Sequence, residues 1–192
     1  VAFGAMFKSA LPDYPVYLLS GLLAWSFITQ TTQYAMAVMA GGSGLLKRIY
    51  IPRATYVIAV VGNGLVNFLV SILPLAAIVL VFDHPVQASW LFLPVSIVIL
   101  TIFTLGFALL LSTASVFFTD SIDIYQILVQ AFFFLTPIMY PPSALSAELS
   151  QLMTLNPFFG LIELFRIPIY ANAVPDAGLI ADFRAYAGYS GW

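Results

Sequence analysis

The 192-residue chain has no cysteine, a single histidine and very little charge. Without cysteine there is neither a disulfide framework nor a thiolate metal site. His84 alone cannot make a histidine-rich one, so no metal ligands are expected. Charged residues make up 7 % of the chain, against roughly 25 % in soluble domains. Apolar residues reach 62 %, and a soluble protein of this size needs more polar surface than that leaves. The expected class is therefore an integral membrane protein. Nucleic-acid binding has no basic face to rest on, and a net charge of −2 names no partner. No Ser/His/Asp set or cleft carboxylate pair can be assembled. The glycines at 41, 42 and 44 lack the spacing of a phosphate-binding loop. An energy-using transporter of this sequence would therefore need its ATPase on another chain.

Long charge-free runs are what the chain does have. They extend from Tyr14 to Leu46, Ala54 to Phe82, Pro85 to Thr119 and Ile124 to Ala147. A spanning helix needs about 20 apolar residues, and unpaired backbone is costly in hydrocarbon, so runs this long read as helices. Spans are expected at about 17–40, 56–82, 91–117 and 123–141. Six lysines and arginines occur in all, and Lys47, Arg48 and Arg53 share one short connection. The positive-inside rule places that 41–55 turn in the cytoplasm, with 8–15 and 83–90 outside and 118–123 inside. Tyr14, Tyr17, Trp90, Phe92 and Tyr140 then fall at the outer ends, as an interfacial aromatic belt would; Trp25 lies within a span. The chain opens at Val1 in apolar sequence with no charged n-region, which reads as a fragment entering near the end of a span rather than as a signal peptide.

Three stretches carry candidate chemistry. In the basic turn, Leu45, Leu46, Lys47, Arg48, Ile49 and Tyr50 form a short apolar-sided helix after the glycines, Pro52 stops it and Arg53 opens the next span. The turn serves topology alone, or it docks a cytoplasmic partner. In "FFLTPIMYPP", Pro137 removes a helical hydrogen bond just before Tyr140, which makes either a plain helix end or a hinge. In "NPFFGLIELFR", Asn156 and Pro157 suit a helix start. Glu163 and Arg166, three apart, form either a solvated pair or a functional charge at membrane depth. Helical pieces at about 143–153 and 158–167 are too short to span and read as a re-entrant or interfacial hairpin. Within the spans, Gln30, Gln33, Asn63 and Asn67 either bond between helices or line a polar path, with Trp25 and Tyr34 as aromatic faces beside them.

Four landmarks in order, "YPVYLLSGLLAWSF", "LLKRIYIPR", "LTPIMYP" and "LNPFFGLIELFR", resemble the type-2 ABC exporter permeases, closest to the branch that exports lipid-linked polysaccharide such as O-antigen, capsule and teichoic acid. The resemblance covers about Tyr14 to Tyr170. It implies an all-α polytopic bundle, here a fragment of a six-span permease, paired with a second copy of itself in the bacterial inner membrane. It also implies two separate cytoplasmic ATPase subunits that bind the ATP and Mg, leaving no cofactor on this chain. The coupling helix of that family maps onto Leu45–Arg53, and its outer gate hairpin onto 143–168, with Pro137, Tyr140, Asn156, Pro157, Glu163 and Arg166 as gate residues. One position departs: Thr119 stands where the family often has arginine. Export of drugs or lipids on the same fold is the alternative. A proton-coupled carrier is a third class, which the lack of ionisable residues inside the four spans disfavours.

Overall fold

The computed structural model describes residues 14–41, 52–81, 88–118, 120–138 and 156–170. These form five α-helices: α1 (Tyr14–Ala40), α2 (Arg53–Val81), α3 (Leu93–Phe117), α4 (Ser121–Leu135) and α5 (Pro157–Tyr170). A 3₁₀ turn, Ala88–Phe92, leads into α3. No strand occurs among the described residues.

The packing is the reverse of a soluble bundle. Along α3 the buried stripe is Ser96, Leu100, Thr104, Ala108, Ser112 and Ser115, at helical spacing and mostly small. The large apolar residues Val98, Ile102 and Leu110 face outward. Small residues let helix backbones approach closely when lipid competes for the large ones. Thr104 Oγ1 is satisfied within its own helix, donating to the Leu100 carbonyl at 2.7 Å, whereas Ser96 and Ser115 also reach carbonyls of neighbouring helices. Two helical stretches, Arg53–Val81 and Ser89–Phe117, each have 29 residues and a mean hydropathy of 2.5 over their most apolar windows, long and apolar enough to cross a membrane. Only 17 % and 28 % of their most apolar windows is buried, unlike the core helix of a soluble protein. The molecule is an all-α membrane bundle.

The other two expected spans differ. The helix expected at 17–40 runs 14–40, but its apolar run is interrupted by polar residues and it is the most enclosed of the long helices. It is the hub of the bundle, touching α2, α3, α4 and α5. Tyr14 and Tyr17, expected in a lipid-facing belt, are buried instead (8 % and 1 % exposed) because α5 packs over that end of α1. The helix expected to reach 141 stops at Leu135. Thr136 is extended (φ −87°, ψ 130°), because the residue before a proline is driven out of the α region. The 15 residues of α4 span only about 22 Å, less than the roughly 30 Å of a hydrocarbon core.

Helix α5 is enclosed rather than laid along the membrane surface. Phe158, Phe159, Ile162, Leu164, Phe165, Ile167 and Ile169 are all buried. The Phe158 ring meets Trp25, Phe103, Phe107 and Phe132 at centroid distances of 5.7, 6.1, 5.4 and 5.8 Å. Pro168 lies inside this helix and has no N–H for the carbonyl four residues back, Leu164. Ser96 Oγ on α3 supplies the missing donor, at 2.8 Å from that carbonyl. Ser89 Oγ likewise donates to the Pro168 carbonyl at 3.2 Å. Ser96 thus closes the gap that the proline leaves in the ladder, and Ser89 satisfies a carbonyl of the last turn.

Replacing Ser96 with Ala should therefore cost about 1 kcal/mol of unfolding free energy, the penalty for stranding a buried carbonyl. In a Pro168→Ala background, which restores a backbone donor to Leu164, the loss should shrink towards zero. Unfolding of the four variants in mixed micelles measures this coupling; equal losses in both backgrounds would show that the Ser96 bond does not compensate the proline.

Candidate functional site

Two features stand out from the packing, and both involve α1. The first is a buried cation. The Arg166 side chain is fully buried on α5, and Glu163, one turn back, is 3 % exposed. Arg166 Nη1 donates to Glu163 Oε1 at 2.8 Å. The same nitrogen donates to the Pro137 carbonyl at 3.3 Å, and Nη2 to the Ile138 carbonyl at 3.4 Å. The guanidinium carbon sits 3.9 Å above the centre of the Tyr17 ring, a cation–π contact that strengthens when desolvated. Tyr17 also donates its hydroxyl to the Pro137 carbonyl, at 3.3 Å.

The geometry follows from the broken end of α4. A helix end leaves carbonyls without intrahelical partners, and Pro137 interrupts the backbone there. Arginine carries five N–H donors in a planar fork and no acceptor. It suits a site with several carbonyls to satisfy, provided a carboxylate balances the charge. Gly21 makes the room: a β-carbon there would run into the Arg166 guanidinium, lying 3.1 Å from its Cζ and overlapping Nη2. At the other end of α5, Asn156 Oδ1 accepts the Phe158 N–H at 3.0 Å, an N-terminal cap. Its Nδ2 donates to Thr136 Oγ1 at 2.9 Å. Both ends of α5 are thus fastened to residues 136–138.

The second feature is a groove of about 500 Å³ between α1 and α2. Gln30, Gln33, Tyr34, Asn63 and Asn67 all line it. On α2 the lining positions Val60, Asn63, Gly64, Asn67, Phe68 and Ser71 recur at helical spacing and form one stripe. Gly64 lets the helices touch, since a β-carbon there would collide with Thr31, whose Cβ is 3.2 Å away. The floor includes the Phe27 and Phe68 rings, stacked at 4.9 Å. Trp25 is a correction: it lies about 140° around α1 from Gln30. Its ring is enclosed by Phe133 and Phe158, at 5.8 and 5.7 Å, and takes no part in the groove.

The remaining sequence candidates are placed as follows. Pro52 and Arg53 are exposed, with Arg53 opening α2. Leu45, Leu46, Lys47, Arg48, Ile49 and Tyr50 lie outside the described residues, as do Tyr140 and the 143–153 helix. Pro157 begins α5. The solvated-pair reading of Glu163 and Arg166 is overturned by their burial. Tyr17 and Gly21 were not anticipated around this pair, nor Thr136 as the partner of Asn156; they are distant in sequence and carry no motif. No group of three or more His, Cys, Asp or Glu residues able to hold a metal occurs among the described residues.

Comparison with known proteins decides the family. A profile of the ABC-2 type transporter matches residues 1–170. The chain belongs to the ABC-2 type transporter family. Similar proteins include the O-antigen export system permease protein RfbA of Myxococcus xanthus, 28 % identical over 179 residues, covering 91 % of this chain and 68 % of the relative. Proteins of the same description from Klebsiella pneumoniae are 24 % identical, one over 173 residues (90 % of this chain, 66 % of the relative) and one over 165 (85 % and 64 %). This ABC-2 chain spans about two thirds of the length of those relatives.

The buried pair sets a test of the junction. Arg166→Met should cost about 3–5 kcal/mol, because it leaves the Glu163 carboxylate buried without its counter-charge. Adding Glu163→Leu should recover part of that loss, whereas Gly21→Ala should lose about 1–3 kcal/mol through overpacking against the guanidinium. A double-mutant cycle on unfolding free energies gives the comparison; strictly additive losses for 163 and 166 would contradict a coupled pair.

Proposed function

We propose that this chain is the membrane permease subunit of an ATP-driven exporter that carries lipid-linked polysaccharide of the O-antigen type across the bacterial cytoplasmic membrane. Family membership together with relatives all named O-antigen export permeases carries this reading. The bundle is consistent with an external energy source. Among the described residues of α1 to α4, the charged Arg53, Asp120 and Asp123 sit at helix starts, and no charged residue lies mid-helix where a proton relay would need it. ATP and its magnesium are bound by two cytoplasmic ATPase subunits, and two copies of the permease form the membrane part.

Coupling is mechanical in this reading. The ATPases press on the 45–53 turn, and Arg53, at the first position of α2, passes the displacement into a 29-residue helix. That helix contacts α1 through Gly64. Energy reaches the membrane part only if the ATPases contact it differently in their two states. Glu163, Arg166, Asn156, Pro157 and Pro137 hold the short helix α5 at the outer end, with Tyr140 following the break.

The test uses the full-length permease with its ATPase in a strain that makes the glycan. Depleting the permease should accumulate lipid-linked glycan inside the cell and strip it from the surface. If drug sensitivity alone changes, the polysaccharide reading falls and small-molecule export takes its place. Arg53→Glu should lower export and permease-stimulated ATP hydrolysis about fivefold or more, the lower range of coupling between sites, with membrane levels unchanged. Wild-type rates in this variant would remove Arg53 from the coupling path.

A further inference from the structure

The α1–α2 groove poses a problem of solvation. Gln30, Asn63 and Asn67 are exposed on helices whose other outward residues, beyond the first turn of α2, are apolar or aromatic. Gln30 and Asn63 each lie ten positions from the cytoplasmic end of their helix, Ala40 and Arg53, or about 15 Å at the helical rise. That is roughly mid-depth in a hydrocarbon core of about 30 Å, where an unsatisfied amide costs several kcal/mol. Among the described residues, the carboxamides of Gln30, Gln33, Asn63 and Asn67 make no hydrogen bond to another residue. Something outside the described residues has to bond them.

We propose that this groove is a binding site for a neutral, hydroxyl-rich ligand, a segment of the exported glycan, an inference that rests on the export reading above. The lining contains no ionisable acid or base apart from the Tyr34 phenol, so it offers no counter-charge to a phosphate, a carboxylate or an ammonium. Carboxamides donate and accept at once, which matches hydroxyls that do the same. The half-exposed Tyr34 offers an apolar ring face to the C–H side of a sugar, and the buried, mutually stacked Phe27 and Phe68 rings form a rigid floor beneath it. A volume of about 500 Å³ falls within the range of small-ligand sites. It takes a few sugar units, so the chain passes in segments. Neutral repeats are preferred over acidic ones.

The test places single cysteines at positions 30 and 67 of the full-length, otherwise cysteine-free permease, with its ATPase. Leu69→Cys is the lipid-facing control, about 200° around α2 from Asn67. A water-soluble maleimide should label positions 30 and 67 about tenfold faster than position 69, since a thiol in apolar surroundings ionises poorly. Labelling should slow when the strain makes the neutral glycan. Gln30→Leu with Asn67→Leu should lower surface glycan about tenfold through lost hydrogen bonds, at unchanged membrane level. If positions 30 and 67 react no faster than 69, another helix covers the groove and the site is refuted. Equal labelling with and without glycan refutes it too, as a water-filled crevice. Both results leave measured export, and so the function above, standing. A wild-type permease that exports no glycan removes both.

Discussion

The described structure depends on keeping one arginine buried inside the protein. Pro137 breaks the chain beyond α4 and leaves backbone carbonyls facing the protein interior. In a membrane protein, irregular backbone of this kind is tolerated only where it is buried in protein and its polar groups are met. Arg166 meets two of those carbonyls, Glu163 balances its charge at 2.8 Å, and Tyr17 covers its face. Remove the cation and the carbonyls lose donors. Remove the carboxylate and a bare charge is buried. Each member of the junction is therefore required by the others, and α5 has its position because the junction does.

The same logic recurs at a smaller scale. Pro168 opens the hydrogen-bond ladder of α5, and Ser96 closes it from α3. Asn156 caps α5 with one side-chain atom and holds Thr136 with another. At the breaks in and beside α5 a neighbouring side chain supplies the missing partner. The prolines shape a short helix that is too short to span, and the polar side chains make that shape affordable in a low-dielectric setting. Burial of α5 is thus a condition for its existence rather than a consequence of loose collapse.

Much of the helix plan was legible because absence of charge over 25 or more residues has one common physical meaning in a chain this apolar. The start of α5 was legible too, since Asn-Pro before an apolar run is a capping signal with a local cause. The glutamate and arginine were identifiable as neighbours, being one turn apart. Their surroundings were not. Tyr17 lies 120 positions from the carbonyl it bonds, and nothing local marks Gly21 as the place where a guanidinium will sit. Trp25 misled because proximity in sequence to Gln30 is not proximity on a helix surface. The groove residues were anticipated as polar; that α1 and α2 align their stripes became visible only with Gly64 against Thr31.

The two sides of α1 are built differently, and this bears on how force travels. Towards α3, α4 and α5 it is joined by directional bonds: Ser115 to the Met36 carbonyl at 3.2 Å, Tyr125 to the Thr29 carbonyl at 3.2 Å, and the Arg166 junction at Tyr17. Towards α2 it presents the Phe27–Phe68 ring pair and the Thr31–Gly64 contact. Hydrogen bonds fix both distance and angle, whereas van der Waals contacts between smooth surfaces lose little over a small slide. In the proposed coupling, a displacement entering at Arg53 would therefore meet a compliant joint before a stiff one. It would change the width of the α1–α2 groove first, with α1, α3 and α5 moving together.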